Sequence, residues 1–510
     1  MLRFQSLVPI AALLALAAAS SGPAWGQVQV QPRRRVDVPA PAPAAGVDRL
    51  IAALLSDTPL ATDLETLTDE IGGRATGSPA NLRASEWALG RFREAGVPAR
   101  REPFTMPGLW LERSASATVR GQGIEFRPRI AALPFSTGTG PVGVTLPLVD
   151  AGRGADSDFT RLGQAARGAF VLIETEELQD IDGLFREYNE AVGIERRAFQ
   201  AGAGGLVYMS SRPNDLLARH NASTGLKTTH PMLMMERDAA ARALRLLRVG
   251  KRLSLTAVLD LQTGPAYQSF NVVGEIRGRS KPGEIVLIGA HLDSWDLGTG
   301  ALDNGANAMM VLDIARQMQR LGLVPERTIR FALWSGEEQG LIGSFGYTLS
   351  HQGELEHTVM ASAYDIGTGR ITGYFTGGRT DVLAPLARAL EPVAGLGPFT
   401  PINAPIVGTD NYDFMMQGVA NLVANQESAN YGPNYHARSD EFGRADLRQL
   451  RLNAAIAAAV TWGFATGDVS LPRWSARQVD SLVRHTDLSD QMKTFGVWDE
   501  WVGGKRGLRP

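Results

Sequence analysis

A histidine and several carboxylates follow an apolar stretch in the middle of the chain. The apolar residues 284–290 precede His-Leu-Asp-Ser-Trp-Asp at 291–296 and Leu-Asp-Asn-Gly at 302–305. A buried strand that ends in an imidazole and a carboxylate, with another carboxylate downstream, is hard to explain by packing alone. Imidazole and carboxylate groups are ligands of zinc in proteins. We therefore interpret this segment as the start of a metal site.

Later segments supply the other groups that such a site needs. Hydrolysis at a metal pair requires ligands to both ions, a bridging group and a base for the attacking water. The chain offers a residue for each of these functions, and the candidates follow successive apolar runs: His291, Asp303, Glu337, Glu338, Asp365 and His436.

Two details of spacing refine this hypothesis. The side chains of the neighbouring residues Glu337 and Glu338 cannot point in the same direction, so one can bind a metal while the other holds the attacking water. Asp293 comes two residues after His291. It is placed to accept a hydrogen bond from the second imidazole N–H and so to orient the ring.

Each candidate also has a purely structural interpretation. A histidine after a strand is often a hydrogen-bonded loop residue, an acidic pair at a helix N-terminus can complement the helix dipole, and Asp365 alone could lie in a turn. A site is favoured because all the candidates fall where one sheet would bring them together. The other histidines lack such surroundings and are assigned no role: His220, His230, His351, His357 and His485.

The elements that must position these residues form a regular pattern from about residue 271. Apolar runs of strand length alternate with segments of helical periodicity. Repeated strand–helix–strand units predict an α/β fold whose largely parallel sheet is flanked by helices, with the site beyond the C-terminal strand ends. The predicted strands are 284–290, 328–334, 358–365 and 420–425, and the predicted helices are 306–321, 339–350 and 446–464.

A chain of 510 residues is expected to contain more than one domain. Residues 47–125 and 264–470 are predicted to form one discontinuous domain that carries the candidate site. Residues 126–263 combine short β-like runs with short helical pieces, which predicts a smaller inserted α/β domain. Residues 471–510 form a C-terminal extension with no assigned role.

The N-terminal residues carry an export pattern. Residues 1–26 combine a basic start, a short apolar run and small residues, which predicts a cleaved signal peptide. The apolar run is short for a membrane crossing, so no integral membrane segment is expected after cleavage. Residues 27–46 are rich in Pro and Ala and predict a flexible leader. The mature protein is therefore expected to be secreted or periplasmic.

The composition argues against some partners and some kinds of site. The formal net charge of −2 gives no electrostatic basis for binding nucleic acid. The chain contains no cysteine, which excludes thiolate ligands and cysteine nucleophiles. Any zinc ion must therefore be held by His, Asp and Glu side chains.

The motifs resemble those of a known family. The sequence Gly-Ala-His-Leu-Asp-Ser-Trp-Asp-Leu-Gly-Thr-Gly-Ala-Leu-Asp-Asn-Gly at 289–305, followed by Arg-Phe-Ala-Leu-Trp-Ser-Gly-Glu-Glu-Gln-Gly at 330–340, is similar to the co-catalytic zinc exopeptidases. That family includes bacterial leucyl aminopeptidases. The resemblance extends from about residue 50 to about residue 464 and implies a zinc exopeptidase fold in which residues 126–263 are a protease-associated domain.

The resemblance also implies roles for individual residues. Asp303 would bridge two zinc ions, and Glu337 would be the general base. Asp410 lies in a segment that resembles one near the substrate pocket of the family. Two positions depart from the family pattern, since Asn304 and Glu441 stand where relatives often have Asp and Thr. The implied ligands of the zinc pair are His291, Asp303, Glu338, Asp365 and His436.

The function that the resemblance implies is that of a secreted metallo-exopeptidase acting on short peptides through a water activated by two zinc ions. Aminopeptidase or dipeptidase activity is expected first, and carboxypeptidase specificity is the alternative. A scaffold or binding protein that has lost the metals is a further alternative, because the superfamily contains such members. Members of the family are often dimers, so a homodimer is also possible.

Overall fold

The computed structural model describes residues 46–179, 181–214, 216–218, 220–223 and 225–509. The predicted signal peptide at 1–26 and all but the last residue of the predicted leader lie outside the described residues. The described strands are β1 (Ala99–Met106), β2 (Leu109–Gly121), β3 (Ile124–Phe126), β4 (Ile130–Ala132), β5 (Val144–Asp150), β6 (Phe170–Ile173), β7 (Gly205–Met209), β8 (Met232–Met235), β9 (Leu253–Gly264), β10 (Tyr267–Ile276), β11 (Lys281–His291), β12 (Arg327–Trp334), β13 (Thr358–Ala363), β14 (Ile371–Phe375) and β15 (Asn421–Gln426).

Helices connect most of these strands. Two π-helical turns, Thr66–Ile71 and Ala301–Gly305, and several short 3-10 segments complete the described elements. The α-helices are α1 (Val47–Leu54), α2 (Leu60–Glu65), α3 (Pro79–Glu94), α4 (Asp156–Leu162), α5 (Ile181–Gln200), α6 (Arg237–Arg248), α7 (Ala306–Arg320), α8 (Ile342–Ser350), α9 (Leu383–Leu390), α10 (Asn411–Met416), α11 (Tyr431–Asn434), α12 (Leu447–Thr466), α13 (Ala476–His485), α14 (Leu488–Thr494) and α15 (Trp498–Val502).

The first sheet has seven strands in the order β1-β10-β12-β11-β13-β15-β14. Its four central strands, β12, β11, β13 and β15, pair in parallel, and the outer strands pair antiparallel. Every residue of β12 and of β13 is buried, as expected for strands that helices cover on both faces. The prediction of an α/β fold with a sheet flanked by helices is confirmed.

Alternate residues of the central strands enter different cores, because successive side chains point to opposite faces of a sheet. On β11, Val286 and Ile288 join a large core that includes residues of α3, α7 and α12. Leu287 points the other way, into a core that contains Tyr347 of α8 and Phe414 of α10. The central sheet is thereby fixed between two helical layers.

The pairing register brings the C-terminal ends of the parallel strands to one edge. His291 at the end of β11 pairs with Trp334 at the end of β12. Gly289 of β11 pairs with Ala363 at the end of β13, so Asp365 follows its strand at the level where His291 ends its own. Loops that leave these strand ends must therefore meet.

The second sheet is built from strands between Leu109 and Gly264. Its order is β3-β2-β9-β5-β6-β7-β8-β4, with β5, β6, β7 and β8 parallel to one another. Helices α5 and α6 connect strands of this sheet. Both sheets lie in one compact unit, Ala45–Pro510. The assignment of 126–263 as an inserted protease-associated domain stays a prediction.

The C-terminal extension packs onto the peptide segments that follow the first sheet's central strands. Side chains from α13, α14 and α15 share a core with Leu341, Val407 and Tyr412. The buried Arg506 guanidinium donates to both carboxylate oxygens of Asp413 at 2.7 Å. It also donates to the main-chain oxygen of Leu341 at 3.2 Å. The extension is therefore fastened to the loop that follows β12.

The described part of the chain contains no helix that is both long enough and apolar enough to cross a membrane.

The buried ion pair between Arg506 and Asp413 gives a first testable prediction. Replacing Arg506 by Leu leaves the Asp413 carboxylate buried without its positive partner, which typically costs about 3–5 kcal/mol. We expect the free energy of unfolding, measured in guanidinium chloride, to fall by that amount. The matched control is Arg484→Leu, because the Arg484–Asp480 pair lies on the surface of α13 and such pairs contribute about 0–1 kcal/mol. Equal stability of the two variants would contradict the anchoring role.

Candidate metal centre

Two groups of buried imidazole and carboxylate side chains meet at the C-terminal edge of the first sheet. One group contains His291, Asp303 and Asp365, and the other contains Asp303, Glu338 and His436. Within each group the donor atoms lie within 4.8 Å of one another. Asp303 belongs to both groups. The structure thus brings together all five residues that sequence analysis proposed as ligands.

The first group is centred on the Nε2 atom of His291. This atom lies 3.1 Å from Oδ1 of Asp303 and 3.0 Å from Oδ1 of Asp365. Glu337, the proposed base, lies farther away, with its Oε2 atom 4.0 Å from the same nitrogen. Three donor atoms at these separations face one small volume, which suits a shared cation.

The second group is centred on the Nε2 atom of His436. This atom lies 2.8 Å from Oε2 of Glu338 and 3.4 Å from Oδ2 of Asp303. The two oxygens of Asp303 therefore face different histidines. Such an arrangement allows one carboxylate to bridge two ions, the role that the family resemblance implied for Asp303.

Local backbone structure explains how each ligand reaches the site. His291 ends β11, and Asp365 follows β13 by two residues. Asp303 lies in the π-helical turn before α7. His436 adopts φ 53° in the loop after α11, a left-handed conformation that is uncommon for residues other than glycine and is often found at functional sites.

Buried carboxylates outnumber imidazoles at this edge. Burial raises the pKa of Glu337 and of Glu338 well above the ordinary glutamate value, and neighbouring carboxylates add to the shift. Burial alone would lower the pKa of His291, but Asp365 and Glu337 together raise it well above its ordinary value. Uncompensated buried charge is strongly unfavourable. Divalent cations at the two donor groups would supply the missing positive charge.

Asp293 contacts His291 in two ways. The Nδ1 atom of His291 donates to the main-chain oxygen of Asp293 at 3.0 Å, and the Asp293 Oδ1 atom lies 3.6 Å from the same nitrogen. The other carboxylate oxygen accepts a hydrogen bond from Thr76 Oγ1 at 2.7 Å. The main-chain carbonyl therefore makes the shorter contact, whereas sequence analysis had assigned that hydrogen bond to the side chain.

Asp440 holds the turn that carries Asp303. Its two oxygens accept hydrogen bonds from the main-chain N–H groups of Leu302 at 2.6 Å and Asp303 at 3.0 Å. Burial raises the pKa of the Asp440 carboxyl to about 7, and the nearby Asp303 carboxylate contributes to the shift. Because both donors belong to the turn, Asp440 fixes the direction from which Asp303 enters the site.

Arg74 is a fully buried residue that sequence analysis did not single out. Its guanidinium donates to the main-chain oxygens of Leu292, Thr299 and Gly300, the last two at 2.6 Å and 2.8 Å. These carbonyls lie on both sides of the loop between His291 and Asp303. Arg74 thus ties this loop into one conformation and adds a positive charge beneath the carboxylates.

The two residues that depart from the family pattern, Asn304 and Glu441, both form hydrogen bonds to neighbouring loops. Asn304 donates from Nδ2 to the main-chain oxygen of Tyr364 at 2.8 Å, a bond that an ionised Asp could not make because it has no proton to donate. This bond joins the Asp303 turn to the residue before Asp365. Glu441 is exposed and accepts a hydrogen bond from Thr299 Oγ1 at 3.2 Å.

Residues of the second-sheet region also reach the metal centre. Asn221 donates to the main-chain oxygen of Glu338 at 2.7 Å, and Arg212 donates to that of Tyr435 at 2.8 Å. The Tyr435 ring stacks on His436 with centroids 3.7 Å apart. His220, to which sequence analysis assigned no role, has its ring centroid 5.6 Å from that of His436. Arg212, His220 and Asn221 lie far from the motifs in sequence, so the sequence gave no signal of this proximity.

A cavity of about 130 Å³ opens beside the proposed base. Glu337, Glu338 and His436 form part of its lining, so it reaches the candidate metal ligands directly. Its other walls come from six separate segments of the chain. They are Tyr188, Asn221, Ala222, Ser223, Gly340, Leu341, Gly408, Tyr435, Thr494, Phe495, Gly496 and Val497.

Asp410, the substrate-binding candidate, is a buried residue immediately before α10. Neither of its carboxylate oxygens meets hydrogen-bond geometry with a donor among the described residues, although the nearby Ser344 hydroxyl favours its ionised form. Burial raises the pKa of Asp410 well above the ordinary aspartate value, and Asp365 adds to the shift. Its contribution to the pKa of Glu337 places it in the electrostatic environment of the site.

Comparison with known proteins agrees with this geometry. Residues 271–461, which include all the candidate site residues, match the family model described as Peptidase family M28. This part of the chain is similar to the M28 peptidases. Carboxypeptidase Q of Homo sapiens is 28% identical over 425 residues, covering 80% of this chain and 86% of that protein. The resemblance to zinc exopeptidases found in the sequence is therefore confirmed.

Two further proteins resemble this chain over most of its length. The probable lipoprotein aminopeptidase LpqL of Mycobacterium tuberculosis is 27% identical over 445 residues, covering 79% of this chain and 82% of that protein. The crystal structure of a peptidase M28 precursor from Shewanella amazonensis SB2B matches with a TM-score of 0.76 at 27% identity, covering 83% of this chain and 97% of that chain. The chain described here is accordingly a metallo-exopeptidase.

The hydrogen bonds of Asp440 give a prediction for metal binding. In Asp440→Asn an amide N–H₂ must face one of the two main-chain N–H donors, so the turn carrying Asp303 loses an anchor. Loss of such outer-shell partners typically lowers metal affinity about 10–100-fold. We expect that decrease in a competitive titration against a chromophoric zinc chelator. Glu441→Gln is the neighbouring control and should bind metal like the wild type. Unchanged affinity in Asp440→Asn would show that the anchor is dispensable.

Proposed function

We propose that this protein is an exported zinc exopeptidase that removes single residues from short peptides, acting as an aminopeptidase or dipeptidase through a two-metal centre. The observation that carries the proposal is the pair of donor groups that share Asp303 beside Glu337. Such a centre supplies both the nucleophile and the charge stabilisation that amide hydrolysis requires.

The donor groups fit zinc in their chemistry. Zinc binds imidazole nitrogen and carboxylate oxygen, and both groups consist of these atoms. Asp303 Oδ2 is buried and meets hydrogen-bond geometry with no donor in the described structure, as expected for an oxygen that binds a cation. When bound, two zinc ions would polarise the scissile carbonyl and lower the pKa of an attacking water. His291 and Asp365 would hold one ion, Glu338 and His436 the other.

Glu337 is suited to move the proton of that water. It lines the cavity and remains outside both donor groups. The side chain of its neighbour Glu338 is committed elsewhere, because Oε1 accepts a hydrogen bond from the Trp295 main chain at 3.1 Å. Burial and neighbouring carboxylates raise the pKa of Glu337, which favours taking a proton and then passing it to the leaving amine.

The charge around the cavity supports recognition of the peptide N-terminus. Glu337 lines the cavity and Asp410 is buried near it, and their carboxylates, when ionised, favour an ammonium group over a peptide carboxylate by Coulomb attraction. The relative LpqL is described as a probable aminopeptidase, whereas the other relative is named as a carboxypeptidase. Carboxypeptidase specificity is therefore the alternative that the substrate test must decide.

A metal-free scaffold is not supported by the ligand set. A protein that only binds a partner has no need for five buried ionisable ligands whose desolvation is unfavourable. The family model, the donor groups and the proposed base all fall within residues 271–461. The predicted export signal at 1–26 supports an extracellular or periplasmic location, and a homodimer stays a prediction.

The proposed base can be separated from the proposed ligands by two isosteric variants. Glu337→Gln cannot accept a proton, so we expect kcat for dipeptide hydrolysis to fall about 10²–10⁴-fold, the usual contribution of a general base, while zinc content measured by elemental analysis stays at two per chain. Glu338→Gln should lose zinc as well as activity. Near-normal turnover by Glu337→Gln would show that another group is the base.

The same assay tests the substrate class. Wild-type enzyme is incubated with free dipeptides, N-blocked peptides and C-amidated peptides, with and without a chelator. We expect chelator-sensitive cleavage of the free and C-amidated peptides. Cleavage of N-blocked but not C-amidated peptides would establish the carboxypeptidase alternative. A protein that holds no zinc and cleaves none of the peptides would instead be a scaffold.

A further inference from the structure

The C-terminal extension reaches the candidate active site. Residues 494–497 line the same cavity as Glu337, Glu338 and His436. They comprise the last residue of α14 and the turn between α14 and α15, which lie outside the segment that matches the M28 family model. One wall of the cavity therefore comes from a part of the chain that supplies none of the proposed ligands or the proposed base.

This wall is held firmly on the side of the first sheet. Leu488 and Met492 of α14 and Val497 enter a core with Leu341 and Val407. The main-chain N–H of Val407 donates to Oε1 of Gln491 at 2.8 Å. Together with the Arg506–Asp413 pair, these contacts fix the turn relative to the loops that follow β12 and precede α10.

Phe495 connects the turn between α14 and α15 to helix α5 of the second-sheet region. Its ring meets Phe185 edge-on with centroids 6.3 Å apart and tilts against Tyr188 at 5.7 Å. The neighbouring Thr494 hydroxyl is hydrogen-bonded to Asn189. A Cβ atom added to Gly408 would lie 3.6 Å from Cζ of Phe495, so the ring also covers the loop that leads to Asp410.

The cavity next to this ring is small and partly lined by apolar residues. Phe495, Val497, Leu341 and Ala222 belong to its lining together with two proposed ligands and the proposed base. Its volume of about 130 Å³ is below the ~300–1,000 Å³ of pockets that hold drug-sized ligands. Such a space suits one modest aliphatic side chain beside the scissile bond.

We infer that Phe495 of the C-terminal extension is a specificity-determining residue, and that it limits the substrate side chain next to the cleaved bond to small aliphatic groups. The inference rests on the proposed peptidase function and adds the substrate class that the site prefers. A hydrophobic wall discriminates by size, because each added methylene that cannot be accommodated changes kcat/KM by roughly 10–200-fold.

The experiment compares two dipeptide series, X-Ala and Ala-X, in which X is Ala, Val, Leu, Phe or Trp. In the zinc-loaded wild type, kcat/KM is expected to fall from Val to Phe and Trp in one of the series. Phe495→Ala enlarges the cavity and should raise the Phe-to-Val ratio of kcat/KM in that series about ten-fold or more. Phe495→Leu should have a smaller effect in the same direction, and Phe495→Trp should lower the ratio.

Matched controls separate specificity from damage to the fold. Val502→Ala removes an apolar side chain that is exposed, lies in the same extension and does not line the cavity, so its ratio should equal that of the wild type. Thermal unfolding and zinc content are measured for every variant. If Phe495→Ala does not fold, the Leu and Trp variants decide, since both retain a large apolar group.

The outcomes distinguish this inference from the proposed function. Chelator-sensitive hydrolysis by the wild type together with unchanged ratios in folded, zinc-loaded Phe495 variants overturns the inference and leaves the peptidase intact. A wild-type preference for Phe and Trp over Val overturns it as well. If the wild type hydrolyses no dipeptide, the proposed function fails and the inference fails with it.

Discussion

The organisation of this molecule depends on one unfavourable arrangement, a cluster of carboxylates buried at the edge of a sheet. Asp303 lies within 3.4 Å of two imidazoles on opposite sides, and burial raises the pKa of both Glu337 and Glu338. Side chains so placed repel one another unless cations lie between them. Bound cations would therefore stabilise the folded chain by offsetting the repulsion among these carboxylates.

The surrounding structure restrains the loops that carry this cluster. Arg74, from the segment before α3, binds three carbonyls between His291 and Asp303, and Asp440 binds the main chain of the turn that carries Asp303. Arg212 holds the carbonyl of Tyr435, next to His436. Each restraint reaches the site from a different part of the chain, so the geometry of the centre depends on the folding of nearly the whole compact unit.

Sequence patterns were sufficient to predict the ligands whose positions follow from the pairing of the strands. His291 and Asp365 follow buried apolar strands, and parallel pairing then places them side by side. The motif resemblance supplied the proposed roles of Asp303 and His436, which lie in irregular loops. Arg74 and His220 carried no such signal, because they approach from distant segments whose periodicity describes only local structure. Loop contacts of this kind are decided by tertiary packing rather than by residue spacing.

The chemistry and the selectivity of this site have separate structural origins. The proposed ligands and base lie within the 271–461 segment shared with the M28 family. The cavity wall instead uses Tyr188 and Asn221 from the second-sheet region and Phe495 from the C-terminal extension. A change in the extension can therefore alter which peptide side chain fits without moving a metal ligand. Phe495 of the C-terminal extension contacts Phe185 and Tyr188 of the second-sheet region. A shift between these two regions would therefore change the shape of the cavity at Phe495, where the substrate side chain is proposed to bind.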